Sequence, residues 1–174
     1  MTRPTKVVLV PGVLALLPEY AGLADPVAPL RAACLAAVAW LGDGPVTVLG
    51  DPQGARVAAA LLAATGGSVA GAPDGGPRST YLVVGNGSAR RSEKAPGHLD
   101  EWAFEFDAAL RAALASSDAR WLDLGLDPGL GDSLLASLDG IARLPGLLPA
   151  GTEATVEYDD DPFGVQYWVM RWQW

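Results

Sequence analysis

The chain has 174 residues, half of them hydrophobic, which is enough for one domain with a sizeable core and no need of disulfides or metals. Its formal net charge of -8 disfavours non-specific binding to nucleic acid or anionic membrane, because the field of the whole molecule repels polyanions. The lone Cys34 excludes an intrachain disulfide and, in an Ala-rich run, reads as a small buried hydrophobe in a reducing, cytoplasmic compartment.

The first apolar stretch, "VVLVPGVLALL" at 7–17, is too short to span a bilayer, is broken by Pro11 and Gly12, and lacks the leader and cleavage site of a signal peptide. Within it, "KVVLV" at 6–10 reads as a strand. Asp25-Pro26 then marks a helix start, since Asp caps helix amides and Pro is tolerated at the first helical position. Leu30, Cys34, Val38 and Leu41 follow at helical spacing. A second strand, "PVTVLG" at 45–50, leads to Asp51-Pro52 and a helix carrying Val57, Leu61 and Ala64 on one stripe.

The Gly/Pro-rich segment 66–79 reads as a long loop, and "TYLVVG" at 80–85 as a third strand. A helix from Asp100 presents Trp102, Phe106, Leu110 and Leu114 on one stripe. Another, from Asp127-Pro128, presents Leu130, Leu134, Leu138 and Ile141. The three strands are near-continuously apolar, the pattern of strands buried on both faces. At the end, "EATVEY" and "VQYWVMRW" flank "DDDPFG" and read as an antiparallel hairpin. The expected fold is a single α/β domain over residues 1–174, three layers α/β/α, with a mostly parallel central sheet and a C-terminal antiparallel hairpin.

Ligands in such sheets bind beyond the carboxyl ends of the strands. Three loops lie there: "PGVLALLPEY", "GDPQGAR" and "GNGSARRSEKAPGH". The third is the candidate anion site, with Gly85 and Gly87 freeing the backbone, Ser88 a hydroxyl, and Arg90, Arg91 and Lys94 positive charge. The competing reading is a solvated loop whose arginines pair with some of the twenty carboxylates.

With His98 the only histidine, a multi-histidine metal site within one chain is impossible. A triad of Ser88, His98 and an acid lacks a nucleophile elbow. Asp159, Asp160 and Asp161 lack the ligand spacing of a calcium loop and read as a hairpin turn. On a strand, Trp168, Met170 and Trp172 share a face and read as core, whereas Trp174 lies past the end. An aromatic edge strand there offers a homodimer contact.

"GNGSARRSEKAPG" followed by "DEWAFEFDAAL", the ending "VEYDDDPFGVQYWVMRW", and the opening "VPGVLALLPEYAG" with "PLRAACLAAVAWL" resemble an actinobacterial family of class III extradiol ring-cleavage dioxygenase-like proteins. The resemblance covers nearly the whole chain and implies the α/β fold of the ring-cleaving enzymes and Memo-type proteins. Those enzymes hold Fe(II) with two histidines and a carboxylate and use a further histidine as acid/base. Where the pattern has its first ligand, this chain has Pro11-Gly12; where it has the second, Pro52-Gln53; and its catalytic histidine corresponds to Ala89 after Ser88.

Every histidine of the pattern is therefore missing, and Gly12 and Ala89 offer no donor to iron. The expectation is a non-catalytic, metal-free relative without catalytic residues or cofactor, Fe(II) entering only if the ancestral activity persists. It binds a small anionic ligand or a protein partner in the former cleft through Gln53, Asn86, Ser88, Arg90, Arg91 and Lys94. The alternatives are a residual enzyme, either an oxygenase with atypical metal ligands or a Ser88 hydrolase, and a structural component of an oligomer that dimerises through the C-terminal strand.

Overall fold

The β-branched runs become the centre of a six-stranded sheet in the computed structural model, which describes residues 4–72, 78–118, 120 and 127–174. In chain order the elements are β1 (Lys6–Val10), α1 (Ala28–Leu41), β2 (Pro45–Leu49), α2 (Pro52–Thr65), β3 (Ser68–Val69), β4 (Thr80–Val84), α3 (Trp102–Ser116), α4 (Pro128–Ser133), β5 (Thr155–Asp160) and β6 (Tyr167–Gln173). Short 3-10 turns cover Leu14–Leu16, Pro18–Tyr20, Ile141–Gly146 and Pro162–Gly164. The strand order is β3-β2-β4-β1-β6-β5. β3, β2, β4 and β1 run parallel, and β6 is antiparallel to both β1 and β5.

The period of two along each strand divides the core into two layers. Val8, Val10, Leu82, Val84 and Val169 pack on one face against α1 and α2, where Leu30, Cys34, Val38, Val57 and Leu61 are buried. Val7, Leu9, Val83, Trp168, Met170 and Trp172 pack on the other against α3 and the segment 134–148. Each fully buried aliphatic or aromatic side chain contributes roughly 1.5–3 kcal/mol. The three-layer α/β fold expected from the sequence is the one observed, and Trp168, Met170 and Trp172 share the buried face as read.

Four local expectations are corrected. Asp25 does not cap α1: its carboxylate accepts from the amide of Val27 at 3.1 Å and from Arg31 Nε at 2.6 Å, and Val27 is the cap residue. On α3 the buried stripe begins at Ala103; Trp102 is 65% exposed. The helix from Asp127 stops at Ser133 instead of reaching Ile141. Leu135 takes a left-handed φ of 56°, Ser137 pairs with Asn86, and Gly140 lies so close to the carbonyl oxygens of Val84 and Leu49 that no side chain fits. Leu134, Ile141 and Leu144 still reach the core, by crossing the sheet's end rather than by helical spacing.

The fourth concerns the hairpin. β6 has β1 on one side and β5 on the other, so it is not an edge strand and offers no free hydrogen-bonding edge to a second chain. Trp174 is bonded through its backbone to Thr5. The edge is β5, which carries Glu157, Asp159 and Asp160 and a register shift between Val156 and Tyr158, features that discourage strand addition. The 66–79 segment contributes the two-residue β3; its positions 73–77 lie outside the described residues.

Candidate functional site

Parallel strands deliver their following loops to one end of the sheet, and β1, β2 and β4 do so here. Because β6 is antiparallel to β1, the turn entering β6 arrives at the same end. Thus "GNGSARRSEKAPGH" meets α3, the hairpin turn and α4.

The loop is fastened residue by residue. Gly85 N donates to Val10 O at 3.0 Å, Asn86 exchanges backbone bonds of 3.1 Å with Ser137, and Gly87 N donates to Gln166 O at 3.0 Å. Gly87 has no room for a Cβ, which would fall within 2.5 Å of an Asp107 oxygen and 2.8 Å of Trp168. Ala89 N donates to Leu134 O at 2.9 Å, and Arg91 N to Gly164 O at 3.0 Å.

At its centre is a carboxylate that the sequence motifs did not single out. Asp107, 2% exposed, accepts from Ser88 N at 2.8 Å, Ser88 Oγ at 2.6 Å and Arg91 Nη1 at 3.2 Å. Burial pushes its carboxyl above the usual range, opposed by the Ser88 bonds and by Arg91. Arg91 also donates through Nε to Asp161 at 2.7 Å and lies over the Phe104 ring, 4.6 Å from its centre. The sequence did hold a signal: Asp107 follows Phe106 on the buried stripe of α3, where an unpaired carboxylate is costly.

Arg90 donates to Ser133 O at 2.9 Å and to His98 O at 3.4 Å, with Asp100 at 3.9 Å. Lys94 is exposed, and Asn86 Nδ2 turns back to Gly87 O at 3.1 Å. Gln53 stands apart on α2, where Nε2 donates to Gly12 O at 2.8 Å. Of the six expected binding residues, Ser88 and Arg91 are thus joined through Asp107, Arg90 and Asn86 are tied to the α4 region, and Gln53 belongs to a separate contact. Both arginines face protein carboxylates, so their charge is compensated locally, whereas Lys94 is left to solvent.

Ser88 is wholly buried, and its hydroxyl is spent on Asp107 rather than on a histidine. His98 instead sits against Glu93, with Nε2 3.0 Å from a carboxylate oxygen and Nδ1 2.8 Å from the backbone carbonyl. This arrangement does not prepare Ser88 for nucleophilic attack.

Iron, implied by the resemblance, does not fit the three corresponding positions. Gly12 is buried, and a Cβ added there would lie 3.1 Å from Val84 and 3.4 Å from Gly54. Ala89 is 8% exposed and carries only a methyl group, and the Gln53 amide is engaged with Gly12. None is an imidazole or carboxylate donor.

Four large apolar side chains on the segments around the loop are exposed. Trp102, Phe104, Leu135 and Phe163 are 65%, 43%, 50% and 60% exposed. Three non-glycine residues of this region, His98, Leu135 and Phe163, hold left-handed φ angles of 61°, 56° and 62°. Such backbone costs about 1–3 kcal/mol per residue and gathers at functional surfaces.

The fold and this loop face define an α/β protein with an internally bonded carboxyl-end surface and an aromatic rim. Comparison with models of known protein families, with curated proteins and with solved structures gives no match. No helix among the described residues is long and apolar enough to cross a membrane.

Proposed function

We propose that the chain is a non-catalytic relative of the class III extradiol dioxygenases, a cytoplasmic binding protein that engages a polypeptide partner at the carboxyl ends of β1, β2 and β4. The observation that carries this reading is the chemistry at Gly12, Gln53 and Ala89: two positions without donors and a third whose amide is engaged within the chain. Between the two ligand classes expected at the loop, the rim favours a polypeptide over a small anion. Arg90 and Arg91 are matched by Asp100, Asp107 and Asp161, leaving Lys94 as the loop's one exposed cation without a carboxylate partner among the described residues. Trp102, Phe104, Leu135 and Phe163 instead supply the aromatic and aliphatic area that anchors protein interfaces.

Two measurements test it. Reconstitution with Fe(II), followed by metal analysis, is expected to leave less than about a tenth of an equivalent bound, whereas stoichiometric iron together with catechol cleavage overturns the non-catalytic reading. Selection of a displayed peptide library on the native protein is expected to yield apolar peptides that lose binding to the Leu135→Ser, Phe163→Ser double variant. Peptides that bind both proteins equally, or saturable binding of small anions at the loop with no peptide selected, overturn the partner reading.

A further inference from the structure

α3 buries Phe106, Leu110 and Leu114 against the sheet. With about 3.6 residues per turn, Glu101, Glu105, Ala108 and Ala112 fall on the opposite side of the helix, and all four are exposed. Glu101, the cap residue, already has helical φ and ψ of -62° and -27°, so it stays in register with the turns that follow. Trp102 and Phe104 flank this line on its two sides and are 65% and 43% exposed. Residues three and four positions apart are neighbours on a helix surface, so the exposed side is contiguous. Trp102 neighbours Glu105, Glu105 neighbours Glu101 and Ala108, and Ala108 neighbours Phe104 and Ala112.

This side of α3 carries uncompensated charge. Among the described residues Glu101 and Glu105 make no ion pair, because the arginines of the loop and of α3 are committed elsewhere: Arg90 with Asp100, Arg91 with Asp107 and Asp161, Arg111 with Asp159. Lys94 pairs with neither glutamate. Two carboxylates one turn apart repel, and a cation placed between them relieves the repulsion.

The two flanks differ in one respect. At Phe104 an aromatic ring, a cation and carboxylates already meet within the chain: Arg91 lies 4.6 Å from the ring centre and is bonded to Asp107 and Asp161. At Trp102 the ring and the carboxylates are present without the cation. Among the described residues cations lie over Trp40 and Phe104, and none over Trp102. The indole face attracts cations more strongly than the other aromatic rings do. Beside it, the methyl groups of Ala108 and Ala112 leave the helix open to close approach by an apolar side chain.

We infer that this side of α3 receives a basic polypeptide segment: a lysine or arginine side chain lies along the Trp102 ring with its cation at Glu101 and Glu105, and an apolar neighbour covers Ala108 and Ala112. The inference rests on the reading of the loop face as a surface for a polypeptide partner, and it gives that partner its charge. A second copy of the chain is a poor occupant, since each copy carries a net charge of -8.

The test is selection of a displayed peptide library on the native protein, with the selected sequences remade as labelled synthetic peptides and titrated by fluorescence anisotropy. The expected result is enrichment of lysine or arginine beside apolar residues relative to the unselected library. Affinity for these peptides should fall about tenfold or more in the Glu101→Gln, Glu105→Gln double variant and in Trp102→Ser, as for loss of charge-assisted hydrogen bonds. The Asp43→Asn, Glu153→Gln variant loses the same number of charges from exposed positions elsewhere and should bind as the parent does. Circular dichroism establishes that each variant is folded; should Trp102→Ser not be, the isosteric glutamine variant carries the test. Apolar peptides without basic enrichment overturn the inference and leave the partner reading standing, whereas a library that yields no peptide overturns both. Basic peptides that bind the Glu101 and Glu105 variant as tightly as the parent overturn the inference. So does an equal loss in the Asp43 and Glu153 variant, which assigns the binding to net charge alone. A sedimentation coefficient that rises with concentration in the parent and not in Trp102→Ser assigns this side of α3 to a second copy and likewise overturns it.

Discussion

Asp107 and Asp25 illustrate how one residue type acquires opposite pH behaviour from its surroundings. Asp107 has its carboxyl raised by burial, so its folded pKa exceeds the unfolded one. Its contribution to stability is complete below the ordinary carboxylate pKa and is lost as pH rises through the folded value. Asp25 is held down first by its hydrogen bond to Arg31, so its contribution is present above the ordinary value and is lost as pH falls through the folded one. Stability curves measured by denaturant between about pH 3 and pH 7 should therefore diverge. Asp25→Asn is expected to be less stable than the parent at the upper end and to converge with it at the lower. Asp107→Asn should lose the component that declines with rising pH, whatever its absolute stability. Arg91→Met leaves the buried Asp107 with only its Ser88 donors and is expected to cost about 3 kcal/mol. Cys34, wholly buried and with its thiol pushed up to about 12, should be silent to a thiol-specific disulfide reagent in the native protein and react promptly in denaturant.

Among elements, the segment after α4 shows why hydrophobic spacing can be right about burial and wrong about conformation. Leu134 and Ile141 are both buried, but Gly140 between them lies against the backbone of Val84 and Leu49, and a helix continuing from Ser133 would not bring it there. Gly140→Ala is accordingly expected to destabilise by more than about 2 kcal/mol, because the obstruction is main chain and cannot rotate away. Gly146→Ala, whose Cβ would meet nothing within 4 Å, should differ from the parent by less than about 0.5 kcal/mol in urea unfolding. The hairpin behaves similarly. Its two strands are legible in the sequence from the turn that separates them, yet nothing in that pattern says that β6 enters between β1 and β5. Only pairing with β1 turns the aromatic strand into core and leaves the acidic β5 outside.

At the scale of the whole molecule, one sheet supplies both core layers, so loss of either exposes the other. Trp168 and Trp172 lie in one layer and Trp40 packs against the other, so fluorescence samples the side-chain packing of both. Unfolding followed by tryptophan fluorescence and by far-ultraviolet circular dichroism should coincide; separated midpoints would mean that the layers unfold independently. Removing Gln173 and Trp174 should leave the sedimentation coefficient unchanged, since β6 has no free edge to lend to a second copy. A shift towards lower mass on truncation would reveal an association through the Trp174 side chain.

The sequence by itself determined the class of fold, because strand and helix periods and the Asp-Pro boundary at Asp51 are local consequences of sterics and hydrogen bonding. It also determined that Gly12 and Ala89 carry no metal-donor group, since that is a matter of side-chain chemistry alone. Only the tertiary structure decided that Asp107 would reach Ser88, 19 residues away, and that Asp161, 70 residues away, would share Arg91. Charge compensation depends on distances of a few ångströms between chain segments, and such distances follow from how strands are ordered in the sheet, which no local pattern encodes.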